Sequence, residues 1–594
     1  MTVALGIDLG TTNSVAAIAT PTGVEFILGA RAERVHPSVV ALPDAGGVVV
    51  GSDAKRYRLT EPQHVIYSAK RFIGQNIRAP LVQLAMTGVR YKVAEGTNQQ
   101  PIVVVRDRRL TMPEISSHVL LHLKRCAERQ LGTQVKDAVI TVPANFTDGQ
   151  RQATKEAGRL AGLEVMRLIN EPTAAALAYG FGHERDQRIA VFDFGGGTFD
   201  VSLLKLAGDV YEVLASDGDF FLGGDDLDRS LTELLAAECN RILRFDPRPN
   251  PQLMMKLMMG AEAIKCHLSE NDAAEGEIDG LDLPSGKVAQ LPFQITRRQF
   301  EDMIAGYVQR TIDVTRQVLI AAQLEAHGID DILCVGGSTR IPLVRRRLAE
   351  LFNKDPNVGI NPDEVVAQGA AIQAGSLTNT LTAGTGMGVA HSVPTHEHSP
   401  LSLELVPEIT TRRPSSTQAP AATRSTQRGY QATQPPAPQA PQAPAPVLPP
   451  LLALVDVPVR RPILLDVNPA TLAIHTAGGF TERLLDKNSP IPIERSRVFT
   501  TARDNQTKVE IDCCRGEARR YTENEPLGTL VLDKLPPKLR GDVQIEVSFR
   551  VDADGILHVR ATDAVSGAKQ EAYLNVLGAP SAEAKLEPKP ESKA

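Results

Sequence analysis

The sequence predicts a large α/β unit over residues 1–376, a Pro-rich disordered tether over 377–462, an all-β sandwich over 463–577 and a disordered polar tail over 578–594. Three observations carry that reading. Strand-like apolar runs that end in Gly-rich turns alternate with helical patterns through the first unit. Residues 411–450 hold ten prolines and four arginines but no Asp, Glu or Lys, a composition that cannot bury a core. Beyond the tether, short runs of alternating polarity are separated by turn signals.

The elements follow in chain order. VALGIDLG is an apolar strand closed by glycine, and ISSHVLLHLKRCAERQLG spaces its apolar residues at three and four, the helical period. DAVITVPAN is a second strand. RIAVFDFGGGTFDVSLL reads as strand, Gly-rich turn and strand, while RRQFEDMIAGYVQRTIDVTRQVLIAAQL returns to helical spacing and DDILCVGGSTRIPLV to strand and turn. Met254, Met255, Met258 and Met259 read as helix packing. In the last unit TKVEIDCC, QIEVSFRV and ILHVRATD alternate as strands. VDADGILHV resembles the start of a calcium loop but lacks the later ligands, so Asp554-Gly555 reads as a hairpin turn.

Composition narrows the function classes. The 594 residues leave room for about four compact units at about 150 residues each. A net charge of -6, from 64 Lys+Arg against 70 Asp+Glu, provides no basic field for nucleic acid or an anionic membrane. No apolar run is long enough for a spanning helix, and MTVALGIDLGTTNS has no basic leader. The six cysteines are scattered, apart from the vicinal Cys513-Cys514, which suits neither a zinc knuckle nor a disulfide framework. The expectation is a reduced, cytoplasmic protein. His391, His396 and His398 fall in the polar tract and read as part of it.

Two Gly-rich turns each follow a strand ending in an acid: Asp8-Leu9-Gly10-Thr11-Thr12-Asn13 and Asp193-Phe194-Gly195-Gly196-Gly197-Thr198-Phe199-Asp200. Glycines let backbone N–H groups close around phosphate oxygens, and the threonine hydroxyls add donors. A carboxylate beside such a loop holds Mg²⁺ through its waters in many phosphoryl-transfer sites. Either loop alone could equally be a tight hairpin with glycines at positive φ; the paired occurrence is the more specific signal. No Walker-type G-x-x-x-x-G-K-[ST] is present, so the phosphate grip is of another kind.

GIDLGTTNSV, TVPANFTDGQRQATKEAGRLAGLEVMRLINEPTAAALAYG, VFDFGGGTFDVS and VGGSTRIPLV resemble signatures of the heat-shock protein 70 family, the DnaK-type chaperones. The resemblance covers about 1–376 and 463–577. It implies a bilobed actin-like ATPase domain that hydrolyses ATP to ADP and phosphate with Mg²⁺, and with K⁺ as a further candidate ion. By position, Asp8 and Asp193 would face the hydrated Mg²⁺, and Gly10, Thr11, Thr12, Asn13, Gly195, Gly196, Gly197 and Thr198 would surround the phosphates. Lys70, in SAKRFIG, matches the catalytic lysine, and Glu171 and Asp200 would complete the polar lining. The adenosine side would take Glu262, Lys265 and Ser269, spaced on one helix face, with Gly336, Gly337, Ser338 and Arg340. Pro143 and Arg151 match a relay between nucleotide and linker, and Arg167 a co-chaperone face.

The β segment resembles the family's peptide-binding sandwich, which holds extended apolar segments of unfolded proteins by backbone hydrogen bonds and a central pocket. Matching positions are Ile474, Thr476, Phe499, Thr500, Ala502, Val509 and Ile511, all of which could also be sandwich core. Three departures stand out. Ala477 lies where the family carries a larger side chain arching over the peptide, so a more open channel is expected. No helical lid follows Val576: LGAPSAEAKLEPKPESKA is short and Pro-broken. The linker signature Ile463-Leu464-Leu465-Asp466 is retained but preceded by the long tether, in which Leu451-Leu452-Ala453-Leu454-Val455-Asp456 looks like an imperfect second copy. Lengthening a tether from about ten to about eighty residues is three doublings, ~1.8 kcal/mol of closure entropy, so looser coupling is expected.

The leading expectation is an ATP-dependent chaperone in protein folding and the stress response, with a J-domain co-chaperone and a nucleotide-exchange factor implied as partners. The alternative is a specialised lidless regulatory binder that uses the same ATPase to control one partner. A small-molecule kinase on the same fold is disfavoured, because nothing resembles an acceptor domain and the β segment would be unexplained.

Overall fold

Two large sheets, each carrying one of the Gly-rich turns at the tip of a hairpin, form the first unit of the computed structural model, which describes residues 3–182, 186–380, 461–563 and 569–572. The first sheet runs Glu164–Asn170, Asp137–Val142, Ala4–Leu9, Asn13–Thr20 and Gly23–Phe26, with the short strand Val35–Pro37 also paired to Asn13–Thr20. The second runs Asp331–Val335, Asp186–Phe194, Phe199–Ala207 and Val210–Asp219. Its hairpin strands read as near-continuous apolar runs because both faces are covered, one by helix Glu171–Gly180 and the other by Arg297–Ala321. Most of the tether (381–460), including His391, His396, His398 and the second linker-like copy, lies outside the described residues, as does the tail from 573. No helix among the described residues is long and apolar enough to cross a membrane.

The sheets meet across two helices made of small residues, Glu171–Gly180 (EPTAAALAYG) and Val365–Leu377 (VVAQGAAIQAGSL). Small side chains are required because the backbones nearly touch. A Cβ on Gly369 would lie 1.8 Å from the Ala174 carbonyl oxygen, and one on Gly6 2.0 Å from the Ala371 nitrogen. Each lobe has its own apolar core, and helix Pro251–Glu270 supplies buried Met254 and Met255 as packing residues. The long helix Met112–Leu131 starts in a capping box, where Thr111 Oγ1 accepts from Glu114 N and the Glu114 carboxylate from Thr111 N (2.7 Å), and stops at Gly132 with φ 67°.

The linker signature takes up a different partner from the one its position beside the β segment suggests. Ile463–Val467 adds to the second sheet as a parallel strand on Val210–Asp219, pairing Ile463 with Val210 and Leu465 with Glu212. Alternation turns Leu464 and Asp466 inward and Ile463 and Leu465 outward, while Val467, on the outward side, is also buried where the strand runs on into the sandwich segment; Leu464 and Val467 both join the core of the first unit. Buried Asp466 accepts hydrogen bonds from Asn170 Nδ2 (2.9 Å) and Thr173 Oγ1 (2.7 Å).

The sandwich that follows has two four-stranded sheets. One orders Phe480–Leu485, Leu472–Thr476, Val509–Arg515 and Glu525–Leu532; the other orders Ile493–Thr500, Gln544–Val551, Leu557–Asp563 and Lys569–Ala572. Strand Gln544–Val551 alternates strictly, with Ile545, Val547, Phe549 and Val551 inward. The Asp554-Gly555 turn forms as expected, and its tip also reaches the first unit. Leu168 N donates to Asp554 Oδ1 (3.0 Å), Arg151 Nη1 to Asp554 O (3.1 Å), and Lys155 pairs with the same carboxylate. Leu557 N donates to Asp148 Oδ1 (2.9 Å), and Lys487 Nζ reaches Asp217 Oδ2 at 2.7 Å.

Two outcomes are expected from this architecture. Gly369→Ala should lower the midpoint of the first thermal transition by the cost of overpacking, ~3 kcal/mol or more. Gly306→Ala, in open space on helix Arg297–Ala321, should raise stability by ~1 kcal/mol. Differential scanning calorimetry of both variants checks the contrast. The second outcome concerns Asp148, whose carboxyl is pushed up to about 6 chiefly by burial, with Asp552 adding repulsion and the Leu557 amide, Gln152 and His558 opposing. Because the docked state holds this proton more tightly, docking should strengthen as pH falls through about 6 and weaken as it rises. Hydrogen exchange at the Ile463 amide, which donates to Asp209 O (2.8 Å), should slow on the order of tenfold between pH 7 and 5 after correction for intrinsic rates. Asp148→Asn should remove that difference.

Candidate functional site

The two glycine turns face one another across the cleft between the sheets. A Cβ on Gly196 would strike Thr12 Oγ1 at 1.9 Å, and one on Gly197 would strike Thr11 Cγ2 at 2.4 Å, so the loops interlock only as glycines. Gly10 is similarly closed in by Asn13 O at 2.1 Å. Thr11 and Thr198 are buried, and the buried hydroxyl of Thr12 has no hydrogen-bond partner. Asn13 is exposed at the start of its strand.

Beneath the loops, five predicted residues converge. Lys70 Nζ donates to Glu171 Oε1 at 2.6 Å, with both side chains 8% exposed, and the ammonium lies 5.6 Å from the centroid of the Phe146 ring. Asp8 accepts from Thr141 Oγ1 (3.1 Å) and Asp200 from Asn145 Nδ2 (2.9 Å). Burial, reinforced by Glu171, pushes the Asp8 carboxyl up to about 7. The same two causes, with Asp200 and Asp8 adding to them, hold Asp193 well above the ordinary carboxylate range, and burial with Glu171 does so for Asp200. Four carboxylates are thus enclosed around one ammonium.

That donor set fits a hydrated Mg²⁺. Hard carboxylate oxygens crowd together short of positive charge, and a cradle of glycine backbone with an unpartnered threonine hydroxyl stands over them. Asp8 and Asp193 are the residues that would face the ion.

Local backbone explains how Lys70 is aimed. It occupies the short 3₁₀ turn Ala69–Arg71, entered through Ser68 at φ 53°, a left-handed conformation costly for serine. Ser68 Oγ donates to Asp225 Oδ2 (2.6 Å). Arg71 crosses to the other lobe, donating to Gly197 O (2.9 Å) and Asp226 Oδ2 (2.5 Å). Lys70 is therefore clamped from both sides, by Ser68 two residues before it and Arg71 immediately after.

The predicted adenosine-side residues divide. Ser338 Oγ donates to Gly195 O (2.9 Å), and Gly336 takes φ 79° where a Cβ would lie 2.6 Å from Phe194 O. Lys265 Nζ pairs with Asp228 Oδ2 at 2.7 Å, and a Cβ on Gly224 would meet both it and Ser338 Oγ. Glu262 looks across the cleft, held below the usual carboxylate range by Lys55, with Arg58 (3.9 Å) and Lys265 adding to the effect. The other three are engaged elsewhere or stand apart: Arg340 turns to Asp363 Oδ2 (2.6 Å), Gly337 adjoins the same carboxylate, and Ser269 bonds back to its own helix at Lys265 O.

Sequence reading missed Ser68, Arg71, Thr141, Asn145 and the Gly223–Asp226 turn. Gly224 N and Asp225 N donate to Gly195 O (3.0 Å) and Gly196 O (2.7 Å), so this turn backs the second loop. The signal was legible in FLGGDDLD, a glycine pair with acids opening a helix.

The relay residues lie on one path. Arg151 donates to Phe146 O (3.1 Å), Ala144 O (3.0 Å) and Asn170 Oδ1 (2.8 Å) as well as to Asp554, and Pro143 O closes the turn carrying Asn145 by accepting from Phe146 N (3.1 Å). Arg167 is half-buried beside Leu168, its Nε without a partner. In the sandwich, Ile474 and Ile511 are buried core, Phe499 and Val509 sit half-buried at its rim, and Thr476 closes a turn on Phe480 O (3.2 Å). Ala477, Thr500 and Ala502 are exposed. The strand register puts the 476–480 and 501–508 turns at the same end of the sandwich.

A family model described as Hsp70 protein matches residues 4–405 and 451–586. With the match spanning both the cleft unit and the sandwich, the chain belongs to the Hsp70 family of chaperone-type ATPases, which act on ATP/ADP with Mg²⁺.

Proposed function

We propose that this protein is a molecular chaperone that hydrolyses ATP to ADP and phosphate and binds extended apolar segments of unfolded proteins, with hydrolysis and exchange setting its grip. The observation that carries the reading is the buried Lys70–Glu171 pair among Asp8, Asp193 and Asp200, directly beneath interlocked glycine loops. Lys70 orients the attacking water and offsets charge developing on the γ-phosphoryl oxygens. Glu171 fixes the ammonium and, with Asp200, accepts hydrogen bonds from that water. Thr11, Thr12 and Thr198 donate to phosphate oxygens. Asp8 and Asp193 would hold Mg²⁺ through its waters, and the ion would supply neutralisation of phosphate charge.

Peptide would lie across the sandwich end formed by the 476–480 and 501–508 turns, with Phe499 and Val509 lining its apolar floor. A J-domain partner would use the face around Arg167, and an exchange factor would open the cleft. Ala477, exposed in a glycine turn, has no side chain long enough to reach over a bound peptide. This favours fast exchange and gives the alternative, a regulatory binder of one partner, its specific support.

Lys70→Ala should lower single-turnover ATP hydrolysis at least ~100-fold, ~2.7 kcal/mol, while ADP affinity stays within a few-fold. Loss of ADP binding in step with hydrolysis would contradict the assigned role. An array of apolar peptides chased with ATP should show broad, releasable binding, with one tight partner supporting the regulator instead. Deleting residues 380–450 should strengthen ATP-induced release by up to about twentyfold, the equivalent of the tether's closure entropy; an unchanged release would remove the tether from the mechanism.

A further inference from the structure

Behind the first glycine loop, away from the carboxylate cluster, three soft or borderline donors meet. His36 stands on the short strand Val35–Pro37, paired opposite Ser14. His122 and Cys126 are four residues apart on one face of helix Met112–Leu131. His36 Nδ1 lies 3.2 Å from His122 Nε2, Cys126 Sγ lies 3.8 Å from the same nitrogen, and all three atoms fall within 4.8 Å of one another. Tetrahedral zinc with Zn–N of about 2.05 Å and Zn–S of about 2.3 Å separates its ligand atoms by ~3.3 Å (N to N) and ~3.6 Å (N to S). His122 Nε2 is already at nearly that spacing from both of the other donors.

Orientation points the same way. His36 Nε2 lies 3.1 Å from Ile27 O, and a carbonyl only accepts, so Nε2 carries the proton and Nδ1 presents its lone pair toward His122. Zinc-ligating histidines are commonly fixed by such a backbone hydrogen bond on the distal nitrogen. Burial pushes the Cys126 thiol up, Arg129 Nη2 opposes this by donating to Cys126 Sγ (3.2 Å), and the carboxylates of Glu33 and Asp53 contribute negative potential around the rings. His36 and Cys126 are buried and His122 is half-buried, which gives a small cation an entry route.

We propose that His36, His122 and Cys126 form a three-ligand site for Zn²⁺, with a fourth position left to water. Binding replaces the shared N–H···N contact. The His122 proton moves from Nε2 to Nδ1, the Cys126 thiol loses its proton to solvent, and both imidazoles stay neutral. The ion would brace Val35–Pro37, and with it Ser38, whose N–H donates to Thr12 O (2.8 Å) and whose hydroxyl donates to Gly10 O (2.8 Å). The site thereby links metal occupancy to the stiffness of the first glycine loop.

Titration of the metal-free full-length protein with Co²⁺ tests the assignment. The expected result is one Co²⁺ per chain with the thiolate-to-cobalt charge-transfer band and tetrahedral d–d absorption, both abolished by Zn²⁺. Cys126→Ser should lose the charge-transfer band, and His122→Gln should weaken Zn²⁺ about tenfold or more while its metal-free melting midpoint stays that of wild type. X-ray absorption of the zinc-loaded wild type, which needs no variant to fold, should give three nitrogen or oxygen neighbours, two of them with imidazole scattering, and one sulfur. An absent cobalt band, a band that survives Cys126→Ser, a zinc affinity unchanged in His122→Gln, or a zinc shell without sulfur would each overturn the proposal and leave a hydrogen-bonded histidine pair in the core.

Discussion

The Arg151 guanidinium is the contact on which the joining of the two units depends. It is fully buried, and it spends its donors on Phe146 O and Ala144 O within the first unit, Asn170 Oδ1 beside the linker strand, and Asp554 O at the tip of the sandwich. Burying a guanidinium is costly unless every donor is used. Here full use requires the turn around Pro143, the linker partner and the sandwich to be in place together. Asn170 passes the arrangement on by accepting from Arg151 with its oxygen and donating to Asp466 with its nitrogen.

The same turn reaches the cleft. Asn145 holds Asp200 and the Phe146 ring lies under Lys70, so a change in charge near the carboxylates is felt at the very turn, residues 144–146, whose carbonyls Arg151 holds. The path from cleft to sandwich is thus contiguous through packed and hydrogen-bonded groups. The hydrogen bonds that join the units are charge-assisted at both Asp466 and Asp554.

Much of the fold was legible because it rests on local patterns. Alternation gave Gln544–Val551, helical spacing gave Met112–Leu131, and the glycine turns gave the two hairpin tips. Asp8, Asp193 and Asp200 were equally legible, since each flanks its glycine loop in sequence, whereas Glu171 was reached only through the family resemblance of its own segment. The clamps on Lys70 were not. Ser68 and Arg71 look like ordinary polar residues, and their partners Asp225 and Asp226 lie more than 150 positions away. The Asp554 turn was read correctly as a turn, while its role in docking depends on a backbone amide, Leu168 N, that no motif announces.

By itself the sequence determined the element types, the paired phosphate-type loops, the family and the composition break at the tether, because propensity, periodicity and glycine conformation are local properties. Only the tertiary structure decided that Ile463–Val467 joins the first unit's sheet, where it lies between Val210–Asp219 and the short strand Pro490–Ile491 from the sandwich segment. Its alternation admits either sheet, and the choice was made by the open edge of Val210–Asp219 and by Asn170 and Thr173 waiting for Asp466. The meeting of His36 with His122 and Cys126 is of the same kind. Residues 86 positions apart become neighbours only when a short strand is laid against a helix, and distance in sequence contains no record of that.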